Sequence, residues 1–468
     1  MRLLILSFIA SLLLALSVNP AAQSPSVVTA FTHINVVDVV NGQVLQNRTV
    51  VVRNRFIERI EPADRALVPA GAALIDGSHK FLIPGLWDAH VHTRYAGIDH
   101  LRLLIAHGIT SARDLGGGWE HLRIINNWIT EIDEGKRIGP RIIAAGVVLD
   151  GPTSSWSHPE LISTPEQGRA AVERLRAEGA RYVKVYVRLS RPSFEAIVDE
   201  ARRQELPVGG HVVPSVGVFE GITLGQSAIE HAADLLVPLS ATEEQIREAA
   251  RLGRPVPLTQ VLSSLSSEKA EKLGRHFRSR NTRLVPTLSL YAHQRHVSRA
   301  EIFRFQSTEL RFIPPGYLRE WRTSKPSPPE IAQARFDGAM LVTKMMIQAG
   351  AEILAGTDVV KPFFVPGNSL HDELTLLVEA GLTPLQALRA ATVAPANYLG
   401  IRDAGTIAAK QRADLVLLDA NPLLEINNTR KIAGVMANGA YYSRKALDEM
   451  LREVERDAAT WNGTPTGQ

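Results

Sequence analysis

Eight short apolar or β-branched runs, most of them separated by helix-patterned stretches, constrain this chain more than any other feature. They are LIPGLWDAHVH (82–92), GITSARDLG (108–116), RIIAAGVVLD (141–150), RYVKVYV (181–187), PVGGHVV (207–213), SAIEHAAD (227–234), RLVPTLSL (283–290) and EILAGTDV (352–359). Amphipathic segments such as PEQGRAAVERLRAEG and SFEAIVDEARRQE lie between them. Parallel strands need such crossovers, so this alternation marks an α/β chain with a parallel sheet. Eight units predict a (β/α)8 TIM barrel over residues 81–402, with its chemistry at the C-terminal ends of the strands. A doubly wound open sheet would carry a glycine-rich phosphate turn after its first strand. Gly116-Gly117-Gly118 follows the second run, but without the spacing or a suitable helix start.

The flanks read differently. Residues 27–80 alternate apolar and polar in HINVVDVV, RTVVVRNRFIERI and AALID, with turn candidates at Asn41-Gly42 and Asn54. The pattern returns in ADLVLLDA (413–420) and KIAGVMANGAYY (431–442). Both termini are therefore expected to build one small β-sandwich domain, 27–80 with 403–445, followed by a C-terminal helix and tail at 446–468. Two longer loops, 150–165 and the proline-rich 312–330, are candidate lids.

Met1-Arg2, the apolar run Leu3–Val18 and the small residues that follow read as a secretory signal peptide over 1–23. That predicts a periplasmic or secreted protein with no membrane span once the leader is removed. The chain has no cysteine, which excludes disulfides and a lipoprotein anchor. A net charge of only +4, dispersed along 468 residues, argues against nucleic acid as a partner. A small-molecule substrate is expected, and a homo-oligomer is compatible with everything read so far.

Metal-compatible residues recur near the ends of the runs. The first run supplies His90 and His92, which share one side of an extended strand. The fourth supplies Lys184, the fifth His211, the sixth His231 and the eighth Asp358. At one barrel mouth these six could hold two divalent cations. A lysine buried beside such ions should lose its proton and can then condense with CO2 to a carbamate, an anion able to bridge two metals. With that carbamate, Asp358 and one hydroxide against two dications, the site keeps a charge of about +1.

Together the HxH at the first strand, VKVYV around Lys184, GGHVV, AIEHAAD and AGTD resemble the amidohydrolase superfamily. The likeness runs through nearly the whole chain, down to ADLVLLDANPL. It is closest to the binuclear, carbamylated-lysine branch with imidazolonepropionase-like and prolidase-like members. The resemblance implies that His90, His92 and Asp358 hold the more buried metal, His211 and His231 the more exposed one, and Lys184 the bridge, with Zn2+ as the expected ion. Prolidase-like relatives often carry a histidine or aromatic after the fifth-strand histidine, where this chain has Val212-Val213. That argues against an Xaa-Pro preference, and Lys184 argues against imidazolonepropionase activity, which uses one metal.

The expected reaction is hydrolysis of an amide C–N bond in an N-acyl amino acid or dipeptide by a metal-bridged hydroxide. Asp358 serves as base and then acid, and His231 or another neighbour could steady the oxyanion. Ester, lactone, carbamate or phosphoester hydrolysis at the same site is one alternative, and a non-catalytic metal-bound binding protein is another. Tyr186 and Arg188, two and four residues beyond Lys184, would share its side of a continued strand and could bind a substrate carboxylate. His158, Tyr291 and His293 lie on strand-following loops as pocket candidates. Arg113 is expected to pair with its neighbour Asp114.

Overall fold

A computed structural model describes residues 27–93, 97–298, 308–323 and 325–463. The expected leader at 1–23 and the end of the tail at 464–468 lie outside the described residues. The alternating N-terminal runs form β1 (Val28–Asp38), β2 (Gln43–Arg53), β3 (Phe56–Pro62), β4 (Ala73–Asp76) and β5 (Phe81–Pro84). The central runs form β6 (Leu86–Val91), β7 (Ile109–Asp114), β8 (Arg141–Ala144), β9 (Val148–Asp150), β10 (Glu160–Leu161), β11 (Val183–Val185), β12 (Val208–Gly210), β13 (Gln226–Glu230), β14 (Arg283–Val285) and β15 (Glu352–Ile353). Near the other end lie β16 (Leu415–Leu418), β17 (Ile432–Ala437) and β18 (Ala440–Ser443).

Strands from both ends of the chain share one eight-stranded sheet, ordered β18-β17-β16-β5-β1-β2-β3, with β4 beside β1. β16 joins them by running antiparallel to β5, Leu415 opposite Pro84 and Leu418 opposite Phe81. Both terminal segments thus share one hydrogen-bonded sheet, and its strands pack across a common apolar cluster. Phe56 bridges Arg412, the Phe31 ring meets Tyr441 edge-on at 5.6 Å, and Val50, Leu82, Leu415 and Met436 share one apolar cluster. Each such side chain, once fully buried, stabilises the fold by roughly 1.5–3 kcal/mol.

The central strands form two sheets, β6-β7-β8 and β10-β9-β11-β12-β13-β14-β15, parallel throughout. Helices cross between them. Thr164 starts the helix Pro165–Ala177 with a capping box, its hydroxyl accepting from Gln167 N while Gln167 Oε1 accepts from Thr164 N. Backbone hydrogen bonds tie the two sheets together on both sides. Arg181 N donates to Ala144 O at 2.8 Å; opposite, Ala89 N donates to Ala355 O at 2.9 Å and Asp358 N to His90 O at 2.7 Å.

Three local expectations change. The run 141–150 divides into β8 and β9 around Gly146. The stretch 312–330 contains the helix Pro315–Trp321, because Pro315 is tolerated at a helix start where no N–H is needed. A helix, Trp119–Asp133, does begin directly after the glycine triplet, with Gly118 as its N-cap. Among the described residues no helix is long and apolar enough to cross a membrane.

Candidate metal centre

The side chains at the strand ends come together in chain order. His90 is on β6 and His92 follows it; both are buried, with ring centres 5.4 Å apart. His231 follows β13 and stands 4.9 Å from His90 and 4.6 Å from His211, ring to ring. Asp358 Oδ1 lies 3.1 Å from His92 Nε2 and 3.5 Å from His90 Nε2. One ligand atom each from His90, His231 and Asp358 fall within 4.8 Å of one another. His231 and Asp358 both have left-handed backbones, φ +69° and +62°. Non-glycine residues hold such conformations at a cost, and they concentrate at functional sites.

Each histidine is fixed from behind through Nδ1. His90 Nδ1 meets Glu230 Oε2 at 2.9 Å, His92 Nδ1 meets Gly116 O at 2.8 Å and His211 Nδ1 meets Asp234 Oδ2 at 2.9 Å. His231 Nδ1 meets Thr287 Oγ1 at 3.0 Å. Carboxylates and carbonyls only accept, so in the first three Nδ1 carries a proton, and in His90, kept neutral by burial, that leaves the lone pair on Nε2. Gly116 can supply its carbonyl because it adopts φ +106° and a Cβ there would lie 2.9 Å from Gly146 O. Asp88, two residues before His90 and on its side of β6, accepts from Thr357 N, Thr357 Oγ1 and His90 N. It thereby fixes the peptide that carries Asp358.

Charge at the site follows from burial and neighbours. Burial pushes His90 and His231 well below the ordinary imidazole value, keeping them neutral and able to ligate. Burial opposes the charge on Asp358, yet the Lys361 ammonium beside it holds its carboxyl well below the ordinary value. Lys184 is 2% exposed, and burial brings its ammonium down to about 8 against the opposing pull of Glu230 and Asp358. Lys184 Nζ and His90 Nε2 are buried with no hydrogen-bond partner. Neutral imidazoles presenting Nε2, an ionised carboxylate and two orphaned nitrogens fit a divalent cation.

The other sequence-predicted residues scatter. Tyr186 packs its ring on His211 at 4.4 Å and on Trp156 at 5.6 Å, so it does border the cluster. For Arg188 the premise of a continued strand fails. β11 stops at Val185, a turn carries Val187 and Arg188 outward, and Arg188 is exposed with its backbone N bound to Asp150 Oδ1. Without a continued strand the two-residue alternation no longer applies. His158 is exposed, beside Gly118 rather than against the histidines. Tyr291 belongs to the helix Leu288–Ser298 and is buried; burial, with Asp234 and Asp358, raises its hydroxyl. His293 meets the carbonyl of Pro362 at 2.9 Å.

Arg113 pairs with Glu230 at 2.7 Å, not with Asp114, because adjacent strand residues face opposite ways. Its guanidinium lies over Tyr182 at 4.7 Å. Trp156 and Lys361 were missed altogether. Trp156, within the loop 150–165, packs on His92 at 5.1 Å, and Lys361 Nζ lies 3.6 Å from Asp358 Oδ1.

This parallel α/β frame with a histidine–aspartate cluster at its strand ends defines a hydrolytic enzyme, and the chain belongs to the amidohydrolase family, whose model matches residues 81–441. Among curated proteins it is similar to the ochratoxinase of Aspergillus niger, 24% identical over 82% of this chain and 80% of that one. Among solved structures it is similar to a candidate prolidase from Bifidobacterium longum, 26% identical, covering 92% of this chain and 99% of that one at a TM-score of 0.68. A bottromycin amidohydrolase shares the fold at a TM-score of 0.71, with 23% identity over 92% of this chain and 90% of that one.

Proposed function

We propose that this chain is an exported, binuclear metal-dependent hydrolase that cleaves the amide C–N bond of an N-acyl amino acid or dipeptide. In this reading the two parallel sheets are the halves of a (β/α)8 barrel over 81–402. The segments 27–80 and 403–445 form the accompanying β domain, and 446–468 the closing helix and tail. Residues 1–23 are a leader that directs the protein to the periplasm or beyond.

The observation that carries the reading is the cluster of His90, His231 and Asp358 ligand atoms within 4.8 Å, with the orphaned Nζ of Lys184 buried under the influence of the same aspartate. His90, His92 and Asp358 would hold one ion and His211 and His231 a second, with Lys184 between them as a carbamate. The imidazole-rich set suits Zn2+. Bound divalent ions would polarise the scissile carbonyl and make water nucleophilic near neutral pH.

The rest falls to the protein. The neutral amine of Lys184 forms its new N–C bond with CO2 and releases one proton. Asp358, kept ionised, takes the proton of the attacking water and passes it to the leaving nitrogen. His231 has no donor left for the oxyanion, since its Nδ1 faces Thr287 Oγ1 and its other nitrogen belongs to the ligand set. The amidohydrolase and prolidase names among the relatives favour amide over ester or phosphoester cleavage.

Chelated protein should lose hydrolysis of N-acyl amino acids and regain it with Zn2+. Asp358→Asn should lose turnover while retaining much of the metal. Turnover that ignores chelation, or that is confined to matched esters, contradicts the reading.

A further inference from the structure

Resting on the amide-cleavage reading above, we propose that Lys361 binds the free carboxylate of the substrate and makes the site selective for acyl amino acids over their neutral carboxamides. After Asp358 the chain folds into a tight turn in which Phe364 N donates to Lys361 O at 2.8 Å. His293 pins that turn, donating from Nε2 to Pro362 O at 2.9 Å and stacking on the Phe364 ring at 4.7 Å. The backbone of Lys361 is thus held next to the metal centre rather than on a free loop.

Its ammonium stands between two features of the mouth. Asp358 Oδ1 is 3.6 Å away, too far for a hydrogen bond, and the ring centre of Trp156 is 5.5 Å away. Trp156 comes from the loop 150–165 and rests on His92, so Lys361 spans from the proton-carrying aspartate to an aromatic wall. A fifth of its side chain is open to solvent, leaving donors for a ligand.

Lys361 is set apart from the other cations near the cluster. Arg188 is exposed beyond the end of β11, and Lys184 is buried within the ligand set. In an N-acyl amino acid the carboxylate is one carbon from the scissile nitrogen. A cation one contact from Asp358, the group that would protonate that nitrogen, is where the carboxylate must go.

Zinc-loaded wild type, Lys361→Gln and Lys361→Arg would be compared on N-acetyl-L-phenylalanine and N-acetyl-L-leucine and on their carboxamides. The wild type should prefer each acid on the order of tenfold or more in kcat/KM. Lys361→Gln should bring that preference close to one through a higher KM for the acids, and Lys361→Arg should keep part of it. An undiminished preference in Lys361→Gln overturns the proposal. So does an equal fall in kcat for acids and carboxamides, which would make Lys361 only a companion of Asp358. No turnover of any pair by the wild type overturns the amide reading instead. Calorimetric binding of N-acetyl-L-phenylalanine then judges Lys361 alone: binding about tenfold weaker in Lys361→Gln supports it, and equal binding overturns it.

Discussion

A metal-ligating histidine is almost always held through its second nitrogen, and at this site the partners of that nitrogen are what the sequence kept hidden. His90, His92, His211, His231 and Asp358 stand out because they lie near the ends of apolar runs, which share a mouth in a parallel sheet, and Lys184 because it is a lone charge inside one. Glu230 does not stand out, since its partners His90 and Arg113 are more than a hundred residues away in the chain. It carries both at once and is fully buried. Glu230→Gln keeps an acceptor for His90 but strands the Arg113 charge. The variant should lose on the order of 3 kcal/mol in denaturant unfolding and bind Zn2+ roughly tenfold to a hundredfold more weakly. An unchanged unfolding midpoint and unchanged Zn2+ affinity would remove Glu230 from the account. Arg188 was misplaced for a related reason: alternation places a side chain only while the strand continues, and β11 is three residues long.

Elements were easier to read than their ends. Thr164-Pro165 marks a helix start through capping chemistry, and so does Thr383-Pro384, where the box with Gln386 is also complete. Pro314-Pro315, by contrast, reads as a loop and turns out to open a helix, because proline is compatible with both. The helix Asn368–Glu379 carries a titration that only tertiary packing creates. His371, buried in its first turns, meets His107 O and Thr429 Oγ1, each at 3.0 Å. Burial, with Arg430 and His107 adding to it, brings His371 from an ordinary 6.5 down to about 3. Its folded pKa is the lower one, so below pH 6.5 the unfolded chain binds the extra proton. The stability it contributes is complete above about pH 6.5 and drains away as pH falls toward 3, by at most ~1.4 kcal/mol per pH unit. Urea midpoints between pH 7 and pH 5 should fall less in His371→Gln than in wild type. Parallel slopes would mean other groups govern acid sensitivity.

At the scale of the whole molecule, the meeting of both termini was readable from the return of period-two alternation after residue 413. The order of the strands in that sheet was not, because it depends on which segments share the cluster around Phe31 and Met436. The same limit applies to the mouth. Trp156 and Lys361 lie in stretches without periodicity and become neighbours only when the two parallel sheets meet. The central claim is that this frame gathers a binuclear site with Lys184 between the ions. The direct measurement is metal content per chain after reconstitution with Zn2+ and bicarbonate, in wild type and in Lys184→Ala. Two equivalents in wild type and at most one in Lys184→Ala, with hydrolysis lost, is the predicted result. Two equivalents and intact hydrolysis in Lys184→Ala would contradict it.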